Sequence, residues 1–297
     1  MSNNITVFVI TTGEESIDDC LEAINKQSFR KNENFEVKII SDVYPMSEAF
    51  NEMHRRCETD FFIQVDADVI LKEDAVEVLY NGIKDKSFFT YASHAKLYEE
   101  GFGIGGSVRC WRKSFFKYFP FNDCRTVDRN LYKRSRPFFF RRKSIDKVVG
   151  IHRPRHSLFS EYLKTKSDVE KWRFLGRKPQ KYALPLLEEL LLDTQKEKYR
   201  IFGFILGVLT SKERVLKSKN NKIEINRLNN VLNELGINSL KELEIRSASF
   251  DKQLIHDLSE SYRFNNNYDL KNVESLIKLF SNKENINIEK LLGEIRK

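Results

Sequence analysis

The stretch FFIQVDADVILKEDAVEVL, residues 61–79, sets two carboxylates, Asp66 and Asp68, at the end of an apolar run with only Ala67 between them. Phe61 to Val65 are apolar or aromatic apart from Gln64, the composition of a buried strand. An unpaired carboxylate inside such a strand would be costly. The pair therefore belongs at the strand's end, facing solvent or a cation. On an extended chain, side chains two apart point to the same side, so the two can offer oxygens to one divalent cation. Mg²⁺ or Mn²⁺ held by one or two carboxylates completes its octahedron with water and phosphate oxygens, which makes a diphosphate the expected partner. Taken alone, the Asp-Ala-Asp spacing reads first as a polar strand exit in a chain with 43 acidic residues, and it is its position that favours the cation.

Upstream, ITVFVITTG (5–13) is β-branched and aromatic and closes on Gly13, which predicts a first strand and a turn. Ile17, Cys20, Leu21 and Ile24 then fall at helical spacing, with Ser16 placed to cap the helix. FEVKIIS (35–41) predicts a second strand and MSEAFNEMHRRC a second helix, so the run at 61–65 becomes the third strand. This βαβαβ order predicts a parallel sheet covered by helices. Ligands of such sheets sit beyond the carboxyl ends of the strands, where Thr11, Thr12, Asp42, Asp66 and Asp68 would gather.

Downstream of residue 160 strand-like runs become scarce. YALPLLEELLLDT (182–194) and RLNNVLNEL (227–235) have helical periodicity, as do Val273, Leu276, Ile277 and Phe280, and then Ile288, Leu291, Leu292 and Ile295. The expected organisation is an α/β domain at 1–160 and a helical module at 161–297. A chain of 297 residues, 40% hydrophobic, can bury cores of that size. The longest uncharged apolar segment, IFGFILGVLT (201–210), is about half of a membrane span. The amino terminus shows no basic leader. Cys20, Cys57, Cys110 and Cys124 have no metal-binding spacing and suit reduced thiols in a cytoplasmic compartment. A net charge of +8 points to an anionic partner without choosing among nucleotides, lipid surfaces and nucleic acid.

Over residues 4–160 the chain resembles the inverting family 2 glycosyltransferases of the GT-A fold. The resemblance rests on VFVITTG, CLEAINKQSF, IISD, the SEAFN helix start, FFIQVDADVIL and VVGIHRP, in that order. It implies a Rossmann-like mixed sheet flanked by helices, a nucleotide-diphosphate sugar donor, commonly a UDP-sugar, and a glycan, lipid-linked or protein acceptor. Thr11 and Asp42 would seat the nucleoside, and Asp66 and Asp68 would hold Mn²⁺ or Mg²⁺. His152, delivered by the strand-like KVVGIH, would complete the cation's shell; a neutral imidazole favours Mn²⁺. His156 ranks lower because Pro154 separates the two histidines.

Inverting transfer needs a base for the acceptor hydroxyl. In FPFNDCRTVDRNLYKR the resemblance allows Asp123 or Asp128 and favours Asp128, although the usual acidic doublet is missing and Asp128 also reads as a helix cap. The basic segment YKRSRPFFFRRKSIDK, with Arg141 and Arg142, is expected as a loop closing on the diphosphate or meeting an anionic acceptor. GFGIGG (101–106) satisfies GxGxxG formally but follows a charged segment and precedes no helix pattern, which argues against a dinucleotide site. In the resembling family this segment borders sugar and acceptor, which would put Trp111 and Arg112 in the cleft unless Trp111 belongs to the core. SEYLKTKSDVEKWRFLGRKPQKY (160–182) is read as docking the helical module or walling the acceptor site.

The expected setting is cytoplasmic, with peripheral contact at the inner membrane face and cell-surface polysaccharide synthesis as the context; nucleic acid is not the favoured partner. The rival readings are a non-catalytic basic protein built on a degenerate GT-A domain, and a nucleotidyltransferase.

Overall fold

The computed structural model describes residues 5–31, 33–99, 103–153, 158–175, 195–243, 270–281 and 283–297. Two compact units divide the chain, Met1–Arg155 and His156–Lys297.

In the first unit β1 (Ile5–Thr11), α1 (Ile17–Asn25), β2 (Phe35–Ser41), α2 (Met46–Arg56) and β3 (Phe61–Asp66) follow the βαβαβ order read from the sequence. β1 pairs in parallel with β2 and with β3, Ile5 lying opposite both Phe35 and Phe61. Both faces of β1 and β3 are covered, which is why those two are almost continuously apolar; β2, at the sheet's edge, carries Glu36 and Lys38 and buries only Phe35 and Ile40. Ile5, Val7, Val9, Ile63 and Val65 pack with Cys20 and Ile24 of α1. Phe8 and Phe62 pack on the other face with Ala49, Phe50 and Met53 of α2.

β4 (Val69–Leu71), α3 (Ala75–Asn81), β5 (Thr90–Glu99), β6 (Gly103–Arg112), α4 (Val127–Ser135) and β7 (Arg141–His152) complete the unit. The seven-stranded sheet has the order β2-β1-β3-β6-β5-β7-β4. β6 runs antiparallel between β3 and β5, so the sheet is mixed, as the resemblance implied. β7 starts parallel to β5, Arg141 opposite Thr90, and ends antiparallel to β4, His152 opposite Val69. Gly150 makes that last pairing possible, because a Cβ there would lie 2.7 Å from the Ile70 carbonyl oxygen. Gly150→Val should cost about 1–3 kcal/mol in urea unfolding, since backbone must move to admit the side chain; unchanged stability would show that β4 and β7 are not held this closely.

Some of these expectations are corrected here, and others hold. The basic segment 133–147 is not a loop: it comprises the end of α4, a 3₁₀ turn at Arg136–Phe138 and the start of β7. As expected from the sequence, GFGIGG is not a dinucleotide fingerprint: Gly103 and Gly106 lie within β6, which runs into a 3₁₀ turn at Lys113–Lys117 and not into an α-helix. Trp111 is a core residue stacked 6.0 Å from Tyr91. Arg112 does not line a cleft; it donates to the carbonyls of Ile83, Lys86 and Thr90 and lies over the Phe61 ring.

The second unit contains α5 (Leu158–Phe174), α6 (Gln195–Leu209), α7 (Lys212–Val215), α8 (Asn221–Leu235), α9 (Leu270–Lys278) and α10 (Ile288–Arg296), and no strand among the described residues. Leu228, Val231, Leu232, Val273, Leu276, Ile277, Leu291 and Ile295 form its core, as the periodicity requires. α5 and α6 approach closely at Gly203, where a Cβ would meet the Tyr162 carbonyl oxygen at 2.3 Å. The helix read at 182–194 lies outside the described residues. No described helix is long and apolar enough to cross a membrane.

Candidate active site

The chain leaves β3 at Asp66 and turns at once into β4, so Asp66 and Asp68 do not share one extended segment. Four backbone groups in this turn are held. The Ala67 N–H donates to the Ile10 carbonyl at 3.0 Å, and the Arg153 N–H donates to the Asp68 carbonyl at 2.9 Å. Ser16 does not cap α1 with its side chain; its hydroxyl donates to the Ala67 carbonyl at 3.1 Å. The Cys20 thiol approaches the Asp66 carbonyl at 3.8 Å. Ala67 is buried with the α1 and β4 side chains, where its small methyl packs.

The turn and the β4–β7 pairing bring Asp68 and His152 together. Asp68 Oδ2 and His152 Nε2 are 3.0 Å apart, and both side chains are 23% exposed. Asp66 is close enough to feel them. Its carboxyl is pushed up to about 6, first by lost hydration and then by the like charge of Asp68, with His152, Gln64 and Arg109 pulling the other way. The Asp66 side chain is exposed, and the neighbouring charge of Asp68 opposes its ionisation. Two mutually repelling carboxylates beside an imidazole have the donor chemistry of a divalent-cation site, because a cation relieves the repulsion. Among the described residues, no three His, Cys, Asp or Glu side chains gather into a ready-made cluster. The donors fit a cation, and the pair Asp68–His152 is the assembled part.

On the α2 face of the sheet the register sets Gln64 beside Arg109 of β6, and Arg109 beside His94 of β5. Asp66, two residues past Gln64, belongs to the same face. Arg109 Nη1 reaches Asp128 Oδ2 at 2.7 Å. Asp128 is therefore not the cap of α4, a position held by Thr126, but a first-turn residue directed at the sheet. Its Oδ1 is buried and has no hydrogen-bond partner among the described residues. His94 has its pKa lowered by burial and then by Arg142 and Arg109. Asp123 stands exposed in the preceding loop, and it and Asp128 both act on the Cys124 thiol, pushing it up after burial has done so.

Thr11 and Thr12 close the β1–α1 turn around Glu14. The Thr11 hydroxyl donates to Glu14 Oε2 at 2.7 Å, the Thr12 N–H to the same oxygen at 2.7 Å, and the Thr12 hydroxyl to Oε1 at 2.8 Å. Asp42 follows β2 with φ 55°, and its N–H donates to the Thr11 carbonyl at 3.1 Å. Thr11 and Asp42 thus neighbour each other, with the Tyr44 hydroxyl donating to Asp42 at 3.4 Å. Arg141 and Arg142 open β7, whose last residue is His152. A strand rise of about 3.3 Å per residue puts that separation at roughly 30 Å. That figure is the length along β7, whose pairing with β5 shifts register; across the sheet Arg142 stands in the row of Ala92, Trp111 and Phe62, four residues before Asp66. The Arg142 guanidinium lies 4.7 Å over the Tyr132 ring of α4.

Arg109 and Glu14 are the site residues that sequence reading missed. The polar turn TTGEE after an apolar strand was a signal for Glu14. Arg109 had only the alternation of SVRCWR, in which every second residue of a strand shares a face.

No family model matches this chain, and no curated protein sequence matches it. Among solved structures it superposes on TarS 1–349 of S. aureus in complex with UDP, at 15% identity over 56% of this chain and 64% of that one, TM-score 0.40. A second is the mannosyltransferase PcManGT of Pyrobaculum calidifontis in complex with GDP-Man and Mn²⁺, at 13% identity over 56% and 62%, TM-score 0.43. A third is glucosyl-3-phosphoglycerate synthase of Mycobacterium tuberculosis in complex with Mn²⁺, UDP and phosphoglyceric acid, at 12% identity over 52% and 72%, TM-score 0.42. The match spans just under two thirds of the first two chains. These scores are too low to transfer a role to any residue, and the bound groups are properties of those proteins.

Proposed function

We propose that the chain is a divalent-cation-dependent, inverting glycosyltransferase that moves a sugar from a nucleotide-diphosphate donor, a UDP-sugar first, to a hydroxyl of a glycan, lipid-linked or protein acceptor. The observation that carries this reading is the 3.0 Å contact between Asp68 and His152, made where the β3–β4 turn meets the end of β7, with Asp66 beside it. Asp66, Asp68 and His152 would hold Mn²⁺ or Mg²⁺. When bound, the cation would neutralise charge on the departing diphosphate. Thr11, Thr12 and Asp42, at the adjoining ends of β1 and β2, would border the nucleoside.

Asp128 is the base in this reading. Its Oδ1 takes the proton of the acceptor hydroxyl as that oxygen bonds to the anomeric carbon and the bond from that carbon to the diphosphate oxygen breaks. The electron pair of that bond leaves with the diphosphate. Arg109, paired with Oδ2, keeps the carboxylate oriented while Oδ1 accepts the proton.

The test is a panel of nucleotide sugars with Mn²⁺, Mg²⁺ or EDTA, on the native chain and on Asp68→Ala. Donor hydrolysis should appear with one cation and fall by on the order of a hundredfold or more both in EDTA and in the variant. Turnover that survives EDTA, or a fully active variant, removes the metal role. Pyrophosphate release from a nucleoside triphosphate would replace the reading with nucleotidyl transfer, and no turnover of any donor with salt-sensitive binding to polyanions would replace it with a binding protein.

A further inference from the structure

At the end of the sheet where β5 and β7 begin, aromatic side chains collect around Phe140. Phe88 and Phe89 each lie 5.5 Å from it, and Phe119, also at 5.5 Å, bridges to Phe138 at 5.6 Å. Phe140 is buried, but Phe88 is 44% exposed, Phe89 47%, Phe138 59% and Phe139 82%. With ring-bearing side chains of about 200 Å² each, these four leave on the order of 400 Å² of aromatic surface in water, the size of a functional patch. Phe139 also holds φ at 64°, a left-handed conformation that an aromatic residue adopts at a cost. No burial of its ring offsets that cost.

Cations border the patch. Lys86, Lys117, Arg136 and Arg141 are exposed, and among the described residues none of them forms an ion pair. Asp85 is the only acidic residue in 84–89, 117–119 and 136–143. Aromatic rings among cations fit the headgroup level of an anionic bilayer, where rings enter the interface and cations meet lipid phosphates.

Two other occupants fit less well. Stacking a run of single-stranded bases needs several open ring faces, whereas Phe88 packs edge to face with Phe89 at 72° and with Phe140 at 65°, and Phe139 alone is as much as 82% exposed. A second copy of the chain would set the same cations against themselves.

We infer that Phe88, Phe89, Phe138 and Phe139, with Lys86, Lys117, Arg136 and Arg141, dock the protein peripherally on an anionic membrane surface. The docking does not depend on the transferase reading. It constrains that reading, because Asp68 and His152 stand at the other end of the strands from the patch, roughly 20–30 Å away. The acceptor hydroxyl would then sit well out from the bilayer, on a chain extended from it.

The experiment is co-sedimentation of the full chain with vesicles of phosphatidylcholine alone or with 30 mol% phosphatidylglycerol (roughly the anionic content of such surfaces), at about 0.1 M and 0.5 M NaCl. Native protein should partition onto the anionic vesicles at low salt, at least tenfold better than onto neutral ones. Phe138→Ser with Phe139→Ser, and separately Arg136→Ser with Arg141→Ser, should each cut that partitioning about tenfold. Phe139→Gly should weaken binding while raising Tm, because glycine relieves the positive φ. The inference is overturned if native protein ignores anionic vesicles, or if the folded aromatic variant binds them equally well. It is overturned too if the patch variants abolish instead a self-association seen by analytical ultracentrifugation or binding to an oligothymidylate.

Discussion

Asp128→Asn is expected to lower kcat by on the order of 10²- to 10⁴-fold, the range general-base catalysis supplies, with binding of the nucleotide donor little changed. An asparagine at this position keeps the volume and can still accept from Arg109, but it cannot take a proton. The carboxylate is placed for the role by two elements: the first turn of α4 carries it, and β6 presents Arg109 at 2.7 Å from Oδ2. Asp123→Asn is the matched control, since Asp123 is exposed in the loop before α4, and should leave kcat within a factor of about two. Arg109→Leu separates positioning from structure. Without its partner Asp128 loses orientation, so kcat should fall with KM for the donor nearly unchanged and the pH profile of kcat displaced. If Asp128→Asn turns over at the native rate while Asp123→Asn does not, the assignment of the base is reversed. If both are fully active, a carboxylate base in this segment is ruled out.

The largest effect on stability is expected in the second unit. Lys166 is 1% exposed, yet its ammonium donates to Glu170 at 2.7 Å and to Glu224 at 2.9 Å. Arg214 contacts both glutamates, and Arg227 lies 3.5 Å from Glu224. Helices α5, α7 and α8 are thus joined through three cations and two anions in a nearly dry site. Glu224→Gln removes the anion shared by all three cations, and breaking a buried network in this way costs about 3–5 kcal/mol. A Tm lower by roughly 10 °C or more is the expected readout. A variant as stable as the native protein would show that water reaches the cluster.

The cluster also gives a sign for pH dependence. Lys166 is pushed down to about 7, by burial first and by Arg214 and Arg227 against the pull of Glu170. The unfolded chain, with an ordinary lysine pKa near 10.4, then binds more protons than the folded one above about pH 7. The Lys166 contribution to stability should therefore rise from about pH 7 towards pH 10 and be absent in Lys166→Met. Above that window Tyr162, whose pKa is raised by burial, begins to act in the opposite sense.

Some of the candidate site was legible in the residues because it is written locally. A strand of near-continuous apolar residues must end where the first carboxylate appears, so Asp66 at the end of β3 followed from Phe61–Val65 alone. The alternation of strands and helices in the first 70 residues likewise required parallel pairing of β1 with β2 and β3, because short connections through helices allow little else. KVVGIH read correctly as a strand that ends on His152. The segment that carries Arg141 and Arg142 read as a loop because a run of cations has no period from which to tell a loop from the start of a strand.

By itself, then, the order of residues determined the three parallel strands, the helical character of the second unit and the strand ends that carry Thr11, Asp42, Asp66 and His152, since each depends on neighbours within a few positions. Only the tertiary structure decided that Asp68 meets His152, that Arg109 holds Asp128, that Glu14 closes the first turn on both threonines, and that Phe88 and Phe138 share one exposed patch. Apart from Glu14, these partners lie between 19 and 84 residues apart. Contacts over such separations are set by register, by the antiparallel entry of β6 and by the close approach that Gly150 permits, and none of these leaves a periodic trace in a single sequence.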